Sequence, residues 1–358
     1  MLAHFRGSII FTAVCLALAA WYGWSESHTL TGLLGVLWTV SVLSVLEVSL
    51  SFDNAVVNAT VLQTMDEVWR KRFLTWGMIF AVYGMYVAFP LAIVAVAAGL
   101  NPVEAVRLSL SQPDKYEAIV SSAHVGIAGF GGAFLSLVGL KFFFDSDKEV
   151  HWIGLIERRI AGLGALPAAE IGVLLLALWG ISAQLPLADA HTFLIAGILG
   201  IIAFIAVEAV GKALELREEH QRALGSVVRS GLGGFIYLNV LDASFSFDAV
   251  IGAFALSNNM IVIALGLSIG AMFVRSLTLL LVRKGTLAEY RYLEHGAFWA
   301  IIALGIIMLV SARYEVPESI TGLIGAVMIA GSLAWSVRWK RRHPEVAAAS
   351  EVGEVSPA

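Results

Sequence analysis

The chain has 358 residues, of which 59% are hydrophobic and only 14% are charged, and its mean hydropathy is +0.84. A soluble domain carries about 25% charged residues, so this composition excludes an ordinary soluble protein and indicates a lipid bilayer as the solvent. The net charge of -4 argues against nucleic acid as a partner. Cys15 is the only cysteine in the sequence, which excludes a disulfide framework and a thiolate metal cluster.

Apolar runs separated by charged or turn-rich stretches predict about ten membrane spans, because one span needs roughly 20 mostly apolar residues. The predicted spans are 8–24, 33–63, 73–100, 118–144, 168–183, 191–210, 230–257, 260–282, 293–312 and 319–338. We expect these spans to form a single transmembrane domain over residues 1–343. The composition of residues 344–358 indicates a disordered cytoplasmic tail. The expected fold class is an all-α polytopic transmembrane helical bundle.

The distribution of Lys and Arg predicts the orientation of the chain. With the N-terminus in the cytoplasm, nineteen of the 23 Lys and Arg residues fall in inner connections and three in outer ones. We therefore expect an integral protein of the plasma (inner) membrane with both termini cytoplasmic. The first apolar run also fits a cleaved signal peptide, because Arg6 precedes it and small residues such as Ala17 and Ala19 follow. Its length favours a retained span.

Two related acidic motifs occur in the sequence, EVSLSFDNAVV at 47–57 and DASFSFDAVI at 242–251. Both follow the pattern acid-x-Ser-x-Ser-Phe-Asp if Glu and Asp are taken as equivalent. The first motif lies in the second predicted span and the other in the seventh, so the two copies cross the membrane in opposite directions. This arrangement is typical of an inverted-topology repeat. It predicts a five-plus-five organisation, with repeats at about 1–183 and 191–338.

Carboxylates inside a bilayer need a partner, since an ionised one costs roughly 2.5–3.5 kcal/mol at the centre on insertion scales. Few basic residues lie near the motifs, so either some of these acids are protonated or they bind a cation. An all-oxygen donor set suits hard divalent ions such as Mn²⁺, Mg²⁺ or Ca²⁺. The proposed metal ligands are Glu47, Asp53, Asn54, Asp242 and Asp248, and the neutral oxygens of Ser51, Asn58 and Ser246 are secondary candidates.

Helical spacing limits how the first motif can bind an ion. On an ideal helix Glu47, Ser51, Asn54 and Asn58 form one polar stripe, whereas Asp53 points to another face. One straight helix therefore cannot direct both acids to one ion. Either the helix is broken near the Ser-Phe-Asp sequence, as in many transporters, or the acids serve different faces. A simpler alternative is that the acids and serines hold neighbouring helices together by hydrogen bonds.

Four further residues are secondary candidates. His124 opens a glycine-rich run and is either a ligand or proton acceptor, or an ordinary interfacial histidine. Glu294 and His295 begin the ninth predicted span, where they form either a gate or proton relay, or a solvated helix start. Arg275 lies within a span and needs an anion, for which the acids of the second motif are candidates.

The motifs SLSFDNAVV and ASFSFDAVI resemble the paired acidic signatures of the TerC family, integral membrane proteins associated with tellurium resistance and grouped with the lysine exporter superfamily. The likeness is to a longer, uncharacterised branch and is concentrated in the motif spans and the glycine-rich fourth span. It implies metal-ion export, with Mn as the leading cation. The resemblance implies as ligands the acids Glu47, Asp53, Asp242 and Asp248. Asp242 replaces Glu47 and Ala249 replaces Asn54 in the second copy, which leaves the number of ligands open.

The sequence lacks the motifs GxxxxGK[ST], HExxH and GxSxG, so we expect neither ATP-driven pumping by this chain nor common hydrolase chemistry. The first hypothesis is a secondary transporter that exports a divalent cation through an intramembrane carboxylate site. A second is a non-transporting membrane component of a metal or tellurite stress-response complex. A third, export of an amino acid or other organic cation, depends on superfamily analogy. The expected partners are the bilayer and the metal ion. Association into a homo-oligomer, or with other subunits of a stress-response complex, is an open alternative.

Overall fold

A computed structural model describes residues 2–77, 79–145, 148, 150–164, 166, 168–223, 231–254, 256–257, 259–284, 290–314, 316 and 318–343. Within these ranges the regular secondary structure is helical, and they contain no β-strand. The predicted disordered tail, 344–358, lies outside the described residues. The all-α expectation is confirmed for the described part of the chain.

The α-helices are α1 (Leu2–Ser27), α2 (Leu30–Leu50), α3 (Phe52–Thr64), α4 (Glu67–Arg72), α5 (Phe89–Ala98), α6 (Pro102–Ser111), α7 (Pro113–Ser122), α8 (His124–Phe144), α9 (Gly154–Leu163), α10 (Ala169–Ser182), α11 (Leu187–Ala223), α12 (Leu232–Phe254), α13 (Met260–Lys284), α14 (Leu293–Ser311) and α15 (Glu318–Arg342). Two π-helical segments, Phe73–Gly77 and Phe80–Ala88, lie between α4 and α5.

Six helical segments of the described chain are long and apolar enough to cross a membrane. They are Phe5–Ser27, Leu30–Leu50, His124–Phe144, Leu187–Leu214, Met260–Val282 and Leu293–Ser311. Ala169–Ser182 and Leu232–Ala243 are apolar but shorter. The chain is therefore a membrane-type helical protein, whereas six such segments do not establish the count of about ten spans or the inverted repeat.

The third predicted span, 73–100, is divided among the two π-helical segments and α5. Pro90 is the second residue of α5, and the π-helical segment ends at Ala88. Proline lacks an N–H group and its ring crowds the preceding turn, so a regular α-helix cannot run through it undisturbed. Short π-helical stretches are uncommon and occur often at functional sites. This segment carries one residue of the candidate site.

Two groups of buried apolar side chains form the core. The first group joins α3, α8, α11 and α14 and includes Phe134 and Ile301. The second joins α1, α2 and α13 and includes Leu43. Helix α12 contributes Leu241 to the first group and Ala249 to the second, and α13 likewise contributes Val274 to the first and Ile263 to the second, so both helices lie along the boundary between the groups. We call this boundary the seam.

Candidate functional site

The first acidic motif lies where one helix ends and another begins. Helix α2 ends at Leu50, Ser51 has φ −101° and ψ 14°, and α3 begins at Phe52. The backbone N–H of Ser51 still donates to the Glu47 carbonyl at 2.9 Å, so the irregularity is confined to one residue. The first motif therefore has the predicted break, in the form of a local interruption. The second motif does not, because α12 is continuous from Leu232 to Phe254.

The carboxylate of Glu47 is buried, with 2% of the residue exposed. Its Oε1 atom accepts hydrogen bonds from Ser51 Oγ at 2.6 Å and from the Tyr86 hydroxyl at 2.8 Å. Its Oε2 atom is buried and has no hydrogen-bond partner among the described atoms. One oxygen of Glu47 is thus held in place by two hydroxyl groups, and the other oxygen can still accept a donor or a cation.

Asp242 of the second motif is also buried, and it pairs with a residue that follows the first motif. Asn58 of α3 donates from Nδ2 to Asp242 Oδ1 at 2.8 Å. The remaining Oδ1 atom of Asn58 is buried without a hydrogen-bond partner in the described part of the structure. Ser246 donates to the Asp242 carbonyl oxygen at 2.7 Å, one turn further along α12. Helices α3 and α12 are therefore joined by a buried polar pair.

Tyr86, on the second π-helical segment, connects the two motifs. It is 3% exposed, and the hydroxyl that donates to Glu47 also contacts the Ser246 side chain. Glu47 and Asp242 lie close enough to interact electrostatically. The two acids therefore belong to one buried polar group, which we call the motif cluster. Its members are Glu47, Ser51, Asn58, Tyr86, Asp242 and Ser246.

Helix α13 covers Glu47 by a close approach at Gly270. A Cβ atom built at Gly270 would lie 2.5 Å from both Cβ and Cγ of Glu47 and 2.9 Å from the Ser44 carbonyl oxygen. One turn earlier, Ser44 Oγ donates to the Gly266 carbonyl oxygen at 3.1 Å. Small residues allow helix backbones to approach closely, so glycine at 270 lets α13 pack directly on the acid.

The structure describes the side chains of only some of the other proposed ligands. Asn54 is buried on α3, one turn before Asn58. Asp53 and Asp248 lie within α3 and α12, but their side chains fall outside the described part of the structure. No three His, Cys, Asp or Glu side chains among the described residues are grouped to hold a metal ion. The described part of the site supplies two carboxylates, and the four-carboxylate arrangement stays a prediction.

A family model described as a protein of unknown function, DUF475, matches residues 52–343, which is most of the chain. This chain belongs to that family. The match to the DUF475 family includes α3, Tyr86 and the whole second motif, and it begins after Glu47. Neither the comparison with curated proteins nor the comparison with solved structures found a match.

In this DUF475 family member, Arg275 contacts a backbone carbonyl group. Its Nε atom donates to the Leu74 carbonyl oxygen at 2.6 Å, in the first π-helical segment. Within the described ranges, no Lys or Arg forms an ion pair with Glu47 or Asp242. The described acids of the motif cluster are therefore not neutralised by a basic side chain.

The remaining secondary candidates have their described contacts elsewhere. His124 Nε2 lies 3.4 Å from Ser311 Oγ, where α8 begins and α14 ends. His295 is buried and its Nε2 lies 2.8 Å from the Val150 carbonyl oxygen. Glu294 interacts electrostatically with Lys148. These contacts associate the three residues with α8, α14 and the segment before α9.

Glu157 of α9 forms a second buried acidic site that the sequence analysis did not identify. It is 1% exposed, and it accepts hydrogen bonds from two backbone N–H groups at 2.8 and 3.0 Å and from the Trp299 indole at 2.9 Å. His151 and His295 lie 3.7 and 3.8 Å from its Oε2 atom. The contacts with Trp299 and His295 fasten α9 to α14.

Proposed function

We propose that this protein is a secondary transporter that exports a divalent metal cation, with Mn²⁺ as the first candidate, through an intramembrane carboxylate site at the motif cluster. The observation that supports it is the joint burial of Glu47 and Asp242 without an ion pair to any described Lys or Arg. Two such carboxylates are costly unless protons or a cation neutralise them. A site that exchanges protons for a cation meets this requirement.

The donor atoms of the motif cluster favour a hard cation. The described members of the cluster offer carboxylate, amide and hydroxyl oxygens, and none of these members carries sulfur. Glu47 Oε2 and Asn58 Oδ1 are buried oxygens without hydrogen-bond partners among the described atoms. Oxygen ligands of this kind suit Mn²⁺, Mg²⁺ and Ca²⁺. Asp53 and Asp248 are proposed to complete the ligand set, in agreement with the TerC resemblance of the motifs.

The position of the motif cluster at the seam supports an alternating-access mechanism. Glu47 is on α2, which packs with one core group, and Asn58 is on α3, which packs with the other. In inverted-repeat transporters the substrate site lies where the two halves meet, and one half moves against the other. In the proposed five-plus-five organisation, with about ten spans and cytoplasmic termini in the inner membrane, Asn58 belongs to the first repeat and Asp242 to the second, so their hydrogen bond would join the two halves.

The direct test is the flux of Mn²⁺ into proteoliposomes that contain the purified protein. We expect flux with the native protein, and its loss in Glu47→Gln and Asp242→Asn, because each change removes a negative charge from the cation site at nearly constant volume. Glu26→Gln, which changes an exposed acid at the end of α1, is the matched control and should transport normally. Competition with Mg²⁺, Ca²⁺, Zn²⁺ and Co²⁺ defines the selectivity.

The same experiment separates the alternatives. Binding of Mn²⁺ without flux would contradict the transporter and favour a metal-binding subunit of a stress-response complex. No response to any metal, together with flux of an amino acid that Glu47→Gln abolishes, would favour export of an organic cation. Thermal unfolding of each variant in detergent shows whether a lost flux reflects a lost fold.

A further inference from the structure

Helix α9 is fixed to the bundle by its inner face. Its only acid, Glu157, is 1% exposed and accepts a hydrogen bond from Trp299, in the second turn of α14. Ile160 packs against the first core group. A Cβ atom built at Gly164, the residue after α9, would collide with the carbonyl oxygen of Phe144, the last residue of α8. Helix α9 is therefore held where α8 ends and α14 begins.

The opposite side of α9 carries apolar and positively charged side chains and no acid. Leu155 is 72% exposed and Ile156 is 45% exposed. Arg158 and Arg159 are exposed as well. Leu155 precedes the two arginines by three and four residues, so these side chains are neighbours on the helix surface. We call these four residues the exposed face of α9.

The two positive charges of the exposed face are not compensated by the described part of the chain. Neither Arg158 nor Arg159 forms an ion pair among the described residues. On α4, by contrast, the exposed Lys71 pairs with Glu67 at 2.7 Å. The burial of Glu157 removes from the exposed face the one carboxylate that α9 contains. The exposed face therefore has a net positive charge beside apolar surface.

The position of α9 suits the boundary between hydrocarbon and headgroups. Helices α8 and α14 are both long and apolar enough to cross a membrane, and α9 lies at one end of each. An amphipathic helix at this level buries its apolar side chains roughly 5–10 Å into the boundary. Arginine side chains there reach the phosphate groups, to which a guanidinium group can donate two hydrogen bonds.

We infer that the exposed face of α9 binds the headgroups of anionic phospholipids, with Leu155 and Ile156 in the apolar region and Arg158 and Arg159 at the phosphate groups. Anionic lipids are favoured over phosphatidylcholine because the choline group of the latter already carries the charge that balances its phosphate. Arginine and lysine near a membrane surface are attracted to its anionic lipids. This surface is separate from the motif cluster and does not depend on cation transport.

The test measures lipid binding at α9 itself, in vesicles that contain the full-length protein. Cys15 is the only cysteine, so Cys15→Ala together with Leu155→Cys allows one fluorescent label to be attached on the exposed face. Lipids brominated near the headgroup end of their acyl chains quench the label on contact. Quenching by brominated phosphatidylglycerol and by brominated phosphatidylcholine, each at the same fraction in unbrominated phosphatidylcholine, gives the relative affinity of the two lipids.

We expect phosphatidylglycerol to bind between about fivefold and thirtyfold more strongly than phosphatidylcholine, since each basic residue near the surface contributes roughly fivefold. The double change Arg158→Gln and Arg159→Gln should bring the ratio close to one. Replacing both arginines by lysine should keep most of the preference because the charge is retained. The matched control is Arg341→Gln with Arg342→Gln, which removes the same charge from an exposed pair at the end of α15 and should leave the ratio unchanged.

Three results would overturn the inference. Equal quenching by the two lipids in the arginine-containing protein would show that the face contacts the bilayer without selecting anionic headgroups. The absence of quenching by either lipid would show that the face is not at the bilayer and would favour an acidic protein partner. An equal loss of preference in the control pair would assign the effect to the total charge of the protein. Thermal unfolding of each variant checks that the fold is retained.

Discussion

Replacing Tyr86 by Phe removes one buried hydroxyl and keeps the ring, so it tests the link between the two motifs with little change in packing. The hydroxyl donates to Glu47 Oε1 at 2.8 Å, and Tyr86 is 3% exposed. A hydrogen bond to a charged group contributes about 1.5–3 kcal/mol to stability and a neutral one about 0.5–1.5 kcal/mol. A loss in the upper range indicates an ionised Glu47, and a loss in the lower range indicates a protonated carboxyl group.

The assay is the free energy of unfolding of the purified protein in mixed micelles at fixed pH. A double-mutant cycle with Glu47→Gln separates the hydroxyl–carboxylate interaction from the other effects of each change. We expect a coupling energy between about 0.5 and 3 kcal/mol. Tyr314→Phe, at a residue that is 56% exposed, is the matched control and should change the free energy by less than about 0.5 kcal/mol.

A coupling energy below about 0.3 kcal/mol would refute this reasoning, because independent sites add within that error. Tyr86 would then be a packing residue, and the contact between its hydroxyl and Glu47 would not join the motifs energetically. The Asn58 pair with Asp242 would be left as the described hydrogen bond between the helices that carry the two motifs.

Two further predictions concern Gly270 and Lys148. Gly270→Ala places a methyl group against Glu47 and should lower the unfolding free energy by about 1–3 kcal/mol. The control is Gly35→Ala, which has open space around its Cβ position and should be neutral or stabilising. Equal effects of the two substitutions would contradict the close approach of α13. For Lys148, burial lowers the pKa to about 8 when folded from 10.5 ordinarily, so the unfolded chain binds more protons between these pH values and native stability rises with pH across this window. Thermal unfolding from pH 7 to 10.5 should show this rise in the native protein and lose it in Lys148→Gln.

The helical, membrane-type character of the chain could be predicted from the sequence, because each span is recognisable from its own run of apolar residues. It also placed Glu47 and Asp242 in apolar runs, and the structure buries both residues. Angular spacing left two alternatives, a helix broken near the Ser-Phe-Asp sequence or acids that serve different faces, and the first motif has an interruption at Ser51. The second motif has the same spacing on a continuous helix, so spacing alone does not decide where a helix is interrupted.

Tyr86 and Glu157 were not found because their roles depend on partners that are distant in sequence or on local backbone geometry. Tyr86 meets Glu47 across 39 residues, from a π-helical segment that α-helical spacing cannot represent. Glu157 accepts hydrogen bonds from Trp299, which is 142 residues away, and from two nearby backbone N–H groups. The apolar run before Pro90 contains two tyrosines, Tyr83 and Tyr86, and their local sequence does not tell which of them contacts an acid.

In the proposed transporter, the arrangement at the seam would couple cation binding to a conformational change. Asn58 of α3 forms a pair with Asp242 of α12. Glu47, on α2, is covered by α13 and accepts a hydrogen bond from Tyr86, which belongs to the second core group. A relative movement of the two proposed repeats would carry Glu47 and Asn58 together, so it would break the Asn58–Asp242 pair and change the separation of Glu47 from Asp242. A cation that binds both acids therefore stabilises the arrangement in which they are close. Protonation of both acids removes that requirement, and differential stabilisation of two arrangements is what a ligand needs to shift a conformational equilibrium.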